Sequence, residues 1–199
     1  MPQILDWPPA LRPAEVDWGL LVPQEVQRGI DGSPQVDIVG APRWRVMIST
    51  GPLRRDEVPE WEAWIDRLRG GVNRARIWDW RREAPLGPAG GAPIVTFGGT
   101  GNSLVTQGWT LSTQKILKAG SWIGLNGELK RLSQSINSDG GGVATITFEP
   151  PLRSAVPANA PLLLVKPTAL FIMDGDPPSM KQLGARFPGF SLAFEEVFA

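Results

Sequence analysis

Two neighbouring aspartates, Asp174 and Asp176, are of the residue type that binds hard cations. With Gly175 between them they resemble the start of a calcium-binding loop. A complete loop of that kind needs further oxygen ligands at fixed spacing and a closing glutamate. Because Pro177 and Pro178 follow directly, the sequence favours an ordinary turn over a metal site.

The sequence also contains few residues suited to acid–base or nucleophilic catalysis. The chain has no histidine and no cysteine, so the commonest general base and the thiol nucleophile are both missing. Glu195 and Glu196 are adjacent on a predicted strand, and their side chains therefore leave opposite faces. The glycine-rich stretch 98–103 lacks the lysine and following helix of a phosphate loop. We predict no catalytic residue, no cofactor and no metal, and hence a protein that is not an enzyme.

Arginines interleave with tryptophans in one run, a pattern that could stack single-stranded nucleic acid. Twenty Lys and Arg balance twenty Asp and Glu, however, and nucleic-acid binding rewards a basic excess. Alternation instead places Arg74 and Arg76 on one face of a strand. We interpret that face as solvated or in contact with another subunit, without direct nucleic acid. The run comprises Arg74, Arg76, Trp78, Trp80, Arg81 and Arg82.

The element nearest to this run is a predicted helix over about 56–69. Trp61, Trp64, Ile65 and Leu68 follow the i, i+3, i+4, i+7 spacing of one apolar stripe. Asp56 is the expected N-cap, and Gly70-Gly71 ends the helix. Before it, Trp44, Val46 and Ile48 alternate with polar or exposed positions in a strand over 43–49, and a strand over 75–80 follows it.

The pattern of the second half of the chain predicts short strands. Residues 83–103 are rich in glycine and proline and predict a linker, and patterned strands follow over 106–165. Residues 127–152 predict a hairpin with a loop at 137–142. Strands over 169–173 and 190–198 would complete a sheet begun earlier, with the strand over 43–49 as the expected partner of the C-terminal strand. The predicted organisation is mainly β: residues 1–86 and 166–199 form one β-sandwich, and 87–165 form an inserted small β domain.

Length and composition limit the classes of protein to which the chain can belong. At 199 residues the chain can bury one good core or two small ones. It has no apolar run long enough to span a membrane, and its start lacks the pattern of a signal peptide. Nine tryptophans and zero net charge permit self-association, because tryptophan is enriched at interfaces and little repulsion keeps copies apart.

One segment resembles a module of tail proteins from long-tailed phages and prophages of proteobacteria: residues 100–153, TGNSLVTQGWTLSTQKILKAGSWIGLNGELKRLSQSINSDGGGVATITFEPPLR. The shared features are the Gly-Asn-Ser-Leu start, the Gly-Trp step, the strand pair around a glycine-rich turn and the closing Pro-Pro-Leu-Arg. Upstream, the strand over 43–49, the helix and Gly70-Gly71 fit the same pattern. The chain thus resembles the distal tail protein family of siphovirus-type phages.

The resemblance implies a fold and a role. Members of that family are β-sandwiches with one belt helix, and many carry a second β domain of galectin-like or oligonucleotide-binding-barrel type. They form a ring, usually hexameric, that joins the last tail-tube ring to the tail-tip hub and to fibres or the tape-measure protein. It implies for this chain a virion location at the tail tip after synthesis in the host cytoplasm. Trp61, Trp64, Ile65 and Leu68 would be the packing stripe of the belt helix.

Two other functions compete with this one. A sugar-binding module at the tail tip would contact the host cell surface, and exposed Trp109 or Trp122 over a shallow groove would favour it. A wall-degrading enzyme would need two carboxylates that converge in a cleft. Trp109, Trp122, Arg74 and Arg76 are therefore the candidate interaction surface.

Overall fold

A computed structural model describes residues 2–178 and 187–198 of the chain. It confirms the predicted mainly-β class: the described part contains thirteen strands and one α-helix. The strands form a six-stranded sheet, a five-stranded sheet and a separate two-stranded ribbon. Residues 179–186, which fall in the predicted C-terminal segment, lie outside the described residues.

The six-stranded sheet draws on both ends of the chain, because its strands come from residues 4–77 and 169–196. Its spatial order is β1-β6-β12-β13-β5-β2. The predicted pairing of the C-terminal strand with the strand over 43–49 is confirmed, with Phe194 opposite Val46. The strands are β1 (Ile4–Asp6), β2 (Glu15–Leu21), β5 (Arg43–Ser49), β6 (Arg74–Ile77), β12 (Ala169–Asp174) and β13 (Ser191–Glu196).

The five-stranded sheet lies wholly between residues 91 and 156 and has the order β7-β8-β11-β10-β9. It corrects the predicted linker over 83–103, since residues 91–95 and 99–103 are part of paired strands. Glycine-rich sequence can extend into a strand where backbones approach closely, which the composition alone did not indicate. The strands are β7 (Gly91–Val95), β8 (Gly99–Trp109), β9 (Trp122–Leu125), β10 (Glu128–Leu132) and β11 (Val143–Val156).

The helix α1 (Glu57–Leu68) confirms the predicted apolar stripe: Trp61, Trp64, Ile65 and Leu68 are all buried. Asp56 is the N-cap residue, as predicted, but the expected capping hydrogen bond to its side chain is not formed. Its backbone already has helical dihedral angles, and Glu57 Oε2 instead accepts a hydrogen bond from Arg54 N over 2.9 Å.

Arg69, directly after the helix, has a left-handed φ of 51° and ends α1 before the predicted Gly70-Gly71. Gly71 then brings the chain close to the sheet. Its φ of 94° favours glycine, and a Cβ at this position would lie 2.8 Å from the carbonyl oxygen of Met173. The chain therefore passes directly against β12 as it turns from α1 into β6. This close approach fixes the helix relative to the six-stranded sheet.

Aromatic side chains fill the space between α1 and the sheet. Trp7 packs against Trp61 and Trp64 with ring centroids 5.5 and 4.5 Å apart. Trp64 also meets Phe194 of β13 at 6.2 Å. The helix thus covers one part of the sheet's inner face, and Trp44 and Phe171 on the same face remain for another element to cover.

The five-stranded sheet supplies that cover. Trp122 of β9 and Leu129 of β10 belong to the same core as the six-stranded sheet. The Trp122 ring lies 4.7 Å from Trp44 and 5.1 Å from Trp18, and Trp44 Nε1 donates to the carbonyl oxygen of Leu129 over 2.8 Å. The division into a sandwich and an inserted domain stays a prediction, and the shared core shows how tightly the two sheets join.

Asp139 holds the predicted loop at 137–142 in shape. Its carboxylate oxygen Oδ1 accepts hydrogen bonds from Val143 N and Gly141 N, each over 2.8 Å. These two bonds, with Val143 first, lower the pKa of the Asp139 carboxyl. The loop is therefore an internally bonded turn that closes the β10–β11 hairpin.

We expect NMR titration of the Asp139 carboxyl to give a midpoint below that of an aspartate in an unfolded chain. Because the folded pKa is the lower one, the stability contributed by this group is present above the unfolded pKa. It is lost as the pH falls through the folded pKa. Asp139→Asn should remove that part of the pH dependence of unfolding. An unshifted midpoint in the wild-type chain would contradict the assignment.

Candidate functional site: the ribbon and the charged junction

A two-stranded ribbon projects from the six-stranded sheet. It consists of β3 (Gln24–Arg28) and β4 (Pro34–Ile38), paired antiparallel with Val26 opposite Val36 and Gln24 opposite Ile38. All ten strand residues are exposed. We call residues 24–38 the ribbon.

The ribbon has two unlike faces. Directly paired residues share a face in an antiparallel pair, and so do residues two apart. Val26, Val36 and Ile38 therefore lie together, with exposed fractions of 55, 51 and 66%. Gln24, Arg28 and Pro34 border them, and we call this the apolar face for its three central side chains. The other face carries only polar side chains: Glu25, Gln27, Gln35 and Asp37.

Such a ribbon has little reason to be stable by itself, because an isolated two-stranded hairpin is marginal in water. Its tip is held by Asp31, whose carboxylate accepts hydrogen bonds from Ser33 Oγ over 2.7 Å and Ser33 N over 3.1 Å. Those bonds lower the pKa of Asp31. The exposed apolar side chains of the ribbon are therefore a candidate contact surface.

The predicted arginine surface lies on the outer face of the six-stranded sheet, the face opposite α1. Arg76 of β6 pairs with Asp6 over 3.0 Å, and Arg74 is half-buried beside it. Arg43 and Glu195 form another pair over 2.5 Å on the same face. Arg43 and Arg76 are thus each paired with a carboxylate on this face.

The other half of the predicted surface is wrong, because Trp109 and Trp122 are buried. They are 3 and 2% exposed. Trp109 Nε1 donates to Thr106 Oγ1 over 2.8 Å within the core of the five-stranded sheet. Trp122 faces the six-stranded sheet. Curling and stacking of the sheets bury both faces, so neither indole is available to a sugar ring.

Asp79 lies within the run of arginines and tryptophans and binds Arg82 of that run together with Trp122. Its carboxylate is fully buried and accepts hydrogen bonds from Trp122 Nε1 and Arg82 Nε, each over 2.9 Å. Arg82 continues to the carbonyl oxygen of Gly120 over 3.0 Å. Arg81 donates to the backbone of Val16. These contacts tie the two sheets together, so Arg81 and Arg82 serve the fold.

A second tie is a group of buried charges that we call the charged junction: Glu128, Lys130, Arg153 and Glu196. Glu196 Oε2 accepts from Trp44 N over 3.1 Å and pairs with Arg153, while its Oε1 accepts from Leu129 N over 3.4 Å. Glu196 is 1% exposed. One carboxylate thereby bonds to both sheets.

The other members complete the charge balance. Lys130 is fully buried, and its Nζ lies 2.6 Å from Glu128 Oε2 and 2.9 Å from the carbonyl oxygen of Pro151. Burial lowers the pKa of Lys130, and the Glu128 carboxylate opposes that shift. Two acids and two bases neutralise one another. Every one of these groups is already bonded within the protein, which is an arrangement for anchoring and offers no free acid or base.

One pair of the charged junction could have been predicted from the sequence. Glu128 and Lys130 are two apart on a strand, and so share a face with Leu132, which is apolar. Opposite charges on an apolar face indicate a buried pair. Glu195 and Glu196 do leave opposite faces, as predicted. Nothing local indicated that Glu196 would meet Arg153.

The candidate cation loop does not form a site. Asp174 ends β12 and pairs with Arg45 over 2.7 Å, and Asp176 lies in the turn beyond. Within residues 2–178 and 187–198, no group of three acidic, histidine or cysteine side chains is arranged to hold a metal ion.

Comparison with known proteins returned no matching family model and no matching curated protein. No helix in the described part of the chain has the length and apolar character required to cross a bilayer.

Proposed function

We propose that this chain is a structural protein of a bacteriophage tail that acts by assembling with copies of itself, as a ring at the distal end of the tail tube. The ring would be hexameric and would connect the tube to the tail-tip hub, with fibres or the tape-measure protein as further contacts. It would act in the virion, without catalysis, as in the distal tail family that the sequence resembles.

The ribbon carries this proposal. Its apolar face is exposed in the single chain, and burial of each such side chain is favourable by about 1.5–3 kcal/mol. A neighbouring copy is the simplest cover, since contact of one surface with a different surface of the next copy forms a ring when the rotation between copies closes. The ion pairs of Arg43 and Arg76 on the outer face of the six-stranded sheet are compatible with close approach of another subunit, since each of these charges is already balanced.

The variant Val36→Asp/Ile38→Asp tests the role of the ribbon. Both positions are exposed, so the single chain should keep its stability within about 0.5 kcal/mol. Charges on the apolar face should prevent its burial, so sedimentation should show a smaller species than the wild type under the same conditions.

The matched control is Gln35→Asp, which places the same side chain on the polar face of the same strand. It should sediment as the wild type does. Assembly of Val36→Asp/Ile38→Asp that equals the wild type would contradict a role of the ribbon in self-association.

A further inference from the structure

A small pocket is formed by the segments that follow β1 and β6, together with one residue that precedes β12. We call it the aromatic pocket. Its floor is built from indole rings, prolines and a leucine, and its rim from three charged side chains. The lining residues are Trp7, Pro8, Pro9, Leu11, Arg12, Trp78, Trp80, Glu83 and Lys166.

Part of the tryptophan surface in the floor of the pocket is exposed to solvent. Trp78 and Trp80 have ring centroids 5.2 Å apart with planes tilted by 38°, and Trp7 supports Trp80 from behind at 4.6 Å. Trp7 is buried, whereas Trp78 and Trp80 are only half-buried. Most tryptophans of this chain are core residues, so a pair that retains access to solvent in a concavity is a distinct feature.

The rim places donors and acceptors beside that surface. Glu83 Oε1 accepts a hydrogen bond from Trp78 Nε1 over 3.3 Å, and Glu83 Oε2 lies 3.4 Å from Lys166 Nζ. The Lys166 ammonium also lies 5.3 Å from the Trp78 ring centroid. Both charged side chains keep solvent access, at 40 and 52% exposed for Glu83 and Lys166. A carboxylate and an ammonium at this spacing can accept from and donate to neighbouring hydroxyl groups.

We propose that the aromatic pocket binds a single pyranose ring of a saccharide. Such a ring has an apolar C–H face that packs on an indole and an edge of hydroxyls that bond to the rim. The pocket volume of about 120 Å³ is below the roughly 300–1,000 Å³ of sites that enclose a drug-sized ligand, so the pocket would cover one face of a single ring and leave the other in solvent.

The rim carries an acceptor, Glu83, as well as donors. Phosphate offers only acceptor oxygens, whereas the hydroxyl groups of a sugar can both donate and accept, so the rim suits a sugar better than a nucleotide. This site differs from the buried Trp109 and Trp122, and it does not depend on ring assembly.

Titration of the full-length chain with N-acetylglucosamine and, separately, with glucuronic acid tests the proposal through tryptophan fluorescence. Saturable binding of either sugar supports it, and the acidic sugar binds more tightly if Arg12 and Lys166 recognise a carboxylate. Glu83→Gln, which keeps the shape of a half-exposed side chain, and Trp80→Ala should each weaken binding about tenfold, as expected for loss of one good contact. Phe97→Ala removes an aromatic ring that is 71% exposed elsewhere, and should leave binding unchanged.

Two results would overturn the proposal. One is the absence of saturable binding of both sugars by the wild-type chain. The other is preferential binding of a single-stranded thymidine oligonucleotide, which would assign the pocket to base stacking. Binding that persists unchanged in Glu83→Gln would place the sugar elsewhere and would equally reject this pocket. Thermal unfolding of Trp80→Ala distinguishes lost binding from lost folding, and Glu83→Gln serves where that variant unfolds.

Discussion

Replacing Glu196 with alanine should lower the free energy of unfolding by about 3–5 kcal/mol, the range for breaking a buried ion pair from one side. The substitution leaves the largely buried Arg153 guanidinium without its carboxylate. The backbone N–H groups of Trp44 and Leu129 also lose their hydrogen-bond acceptor in the interior. Urea unfolding monitored by tryptophan fluorescence measures the loss, because Trp44 lies at this junction.

Glu195→Ala is the matched control, since the neighbouring carboxylate pairs with Arg43 near the surface, with 24% of its side chain exposed. We expect that variant to cost less than about 1 kcal/mol. Equal destabilisation by the two substitutions would contradict the view that Glu196 anchors one sheet to the other. Glu196→Gln should fall between them, since an amide oxygen can still accept from a backbone N–H.

Leu68→Asp should have a comparably large effect, of about 4 kcal/mol or more, because it buries a charge in a packed core. Leu68 is fully buried at the end of α1, directly before the turn that Gly71 fixes against β12. The loss should appear as a lower melting temperature, and circular dichroism measures it.

Ala63→Asp places the same side chain on the exposed face of α1. It should cost only the difference in helix propensity, roughly 0.7 kcal/mol. A melting temperature of Leu68→Asp that matches this control would count against the packing of α1 on the sheet, and with it against its assignment as the belt helix.

Local periodicity explains which parts of the structure were predictable. The stripe of α1 and the alternation of β5 are read from side chains within one element, and both are confirmed. The capping hydrogen bond expected at Asp56 is not formed, because such a bond depends on dihedral angles that neighbouring packing decides.

The features that the sequence did not predict depend on contacts between distant segments of the chain. Trp109 is buried within the core of the five-stranded sheet, whereas Trp122 is buried between the two sheets, where it bonds to Asp79. Glu196 and Arg153 are 43 residues apart, so no local pattern joins them. The exposure of the ribbon could not be read from its alternation either, because the same alternation normally predicts one covered face.

The opposite roles of the ribbon and the charged junction give the molecule its proposed use. The junction and Asp79 bond two sheets into one core, while the ribbon leaves an apolar face open. A bonded core that carries an exposed apolar ribbon is suited to assembly.

The mass of the purified chain in solution tests this account most directly. Native mass spectrometry should give a closed assembly of about six times the 21.6 kDa chain mass, and electron micrographs of the same sample should show rings. A chain that stays at 21.6 kDa at every concentration, with no ring in any image, would contradict the proposed function.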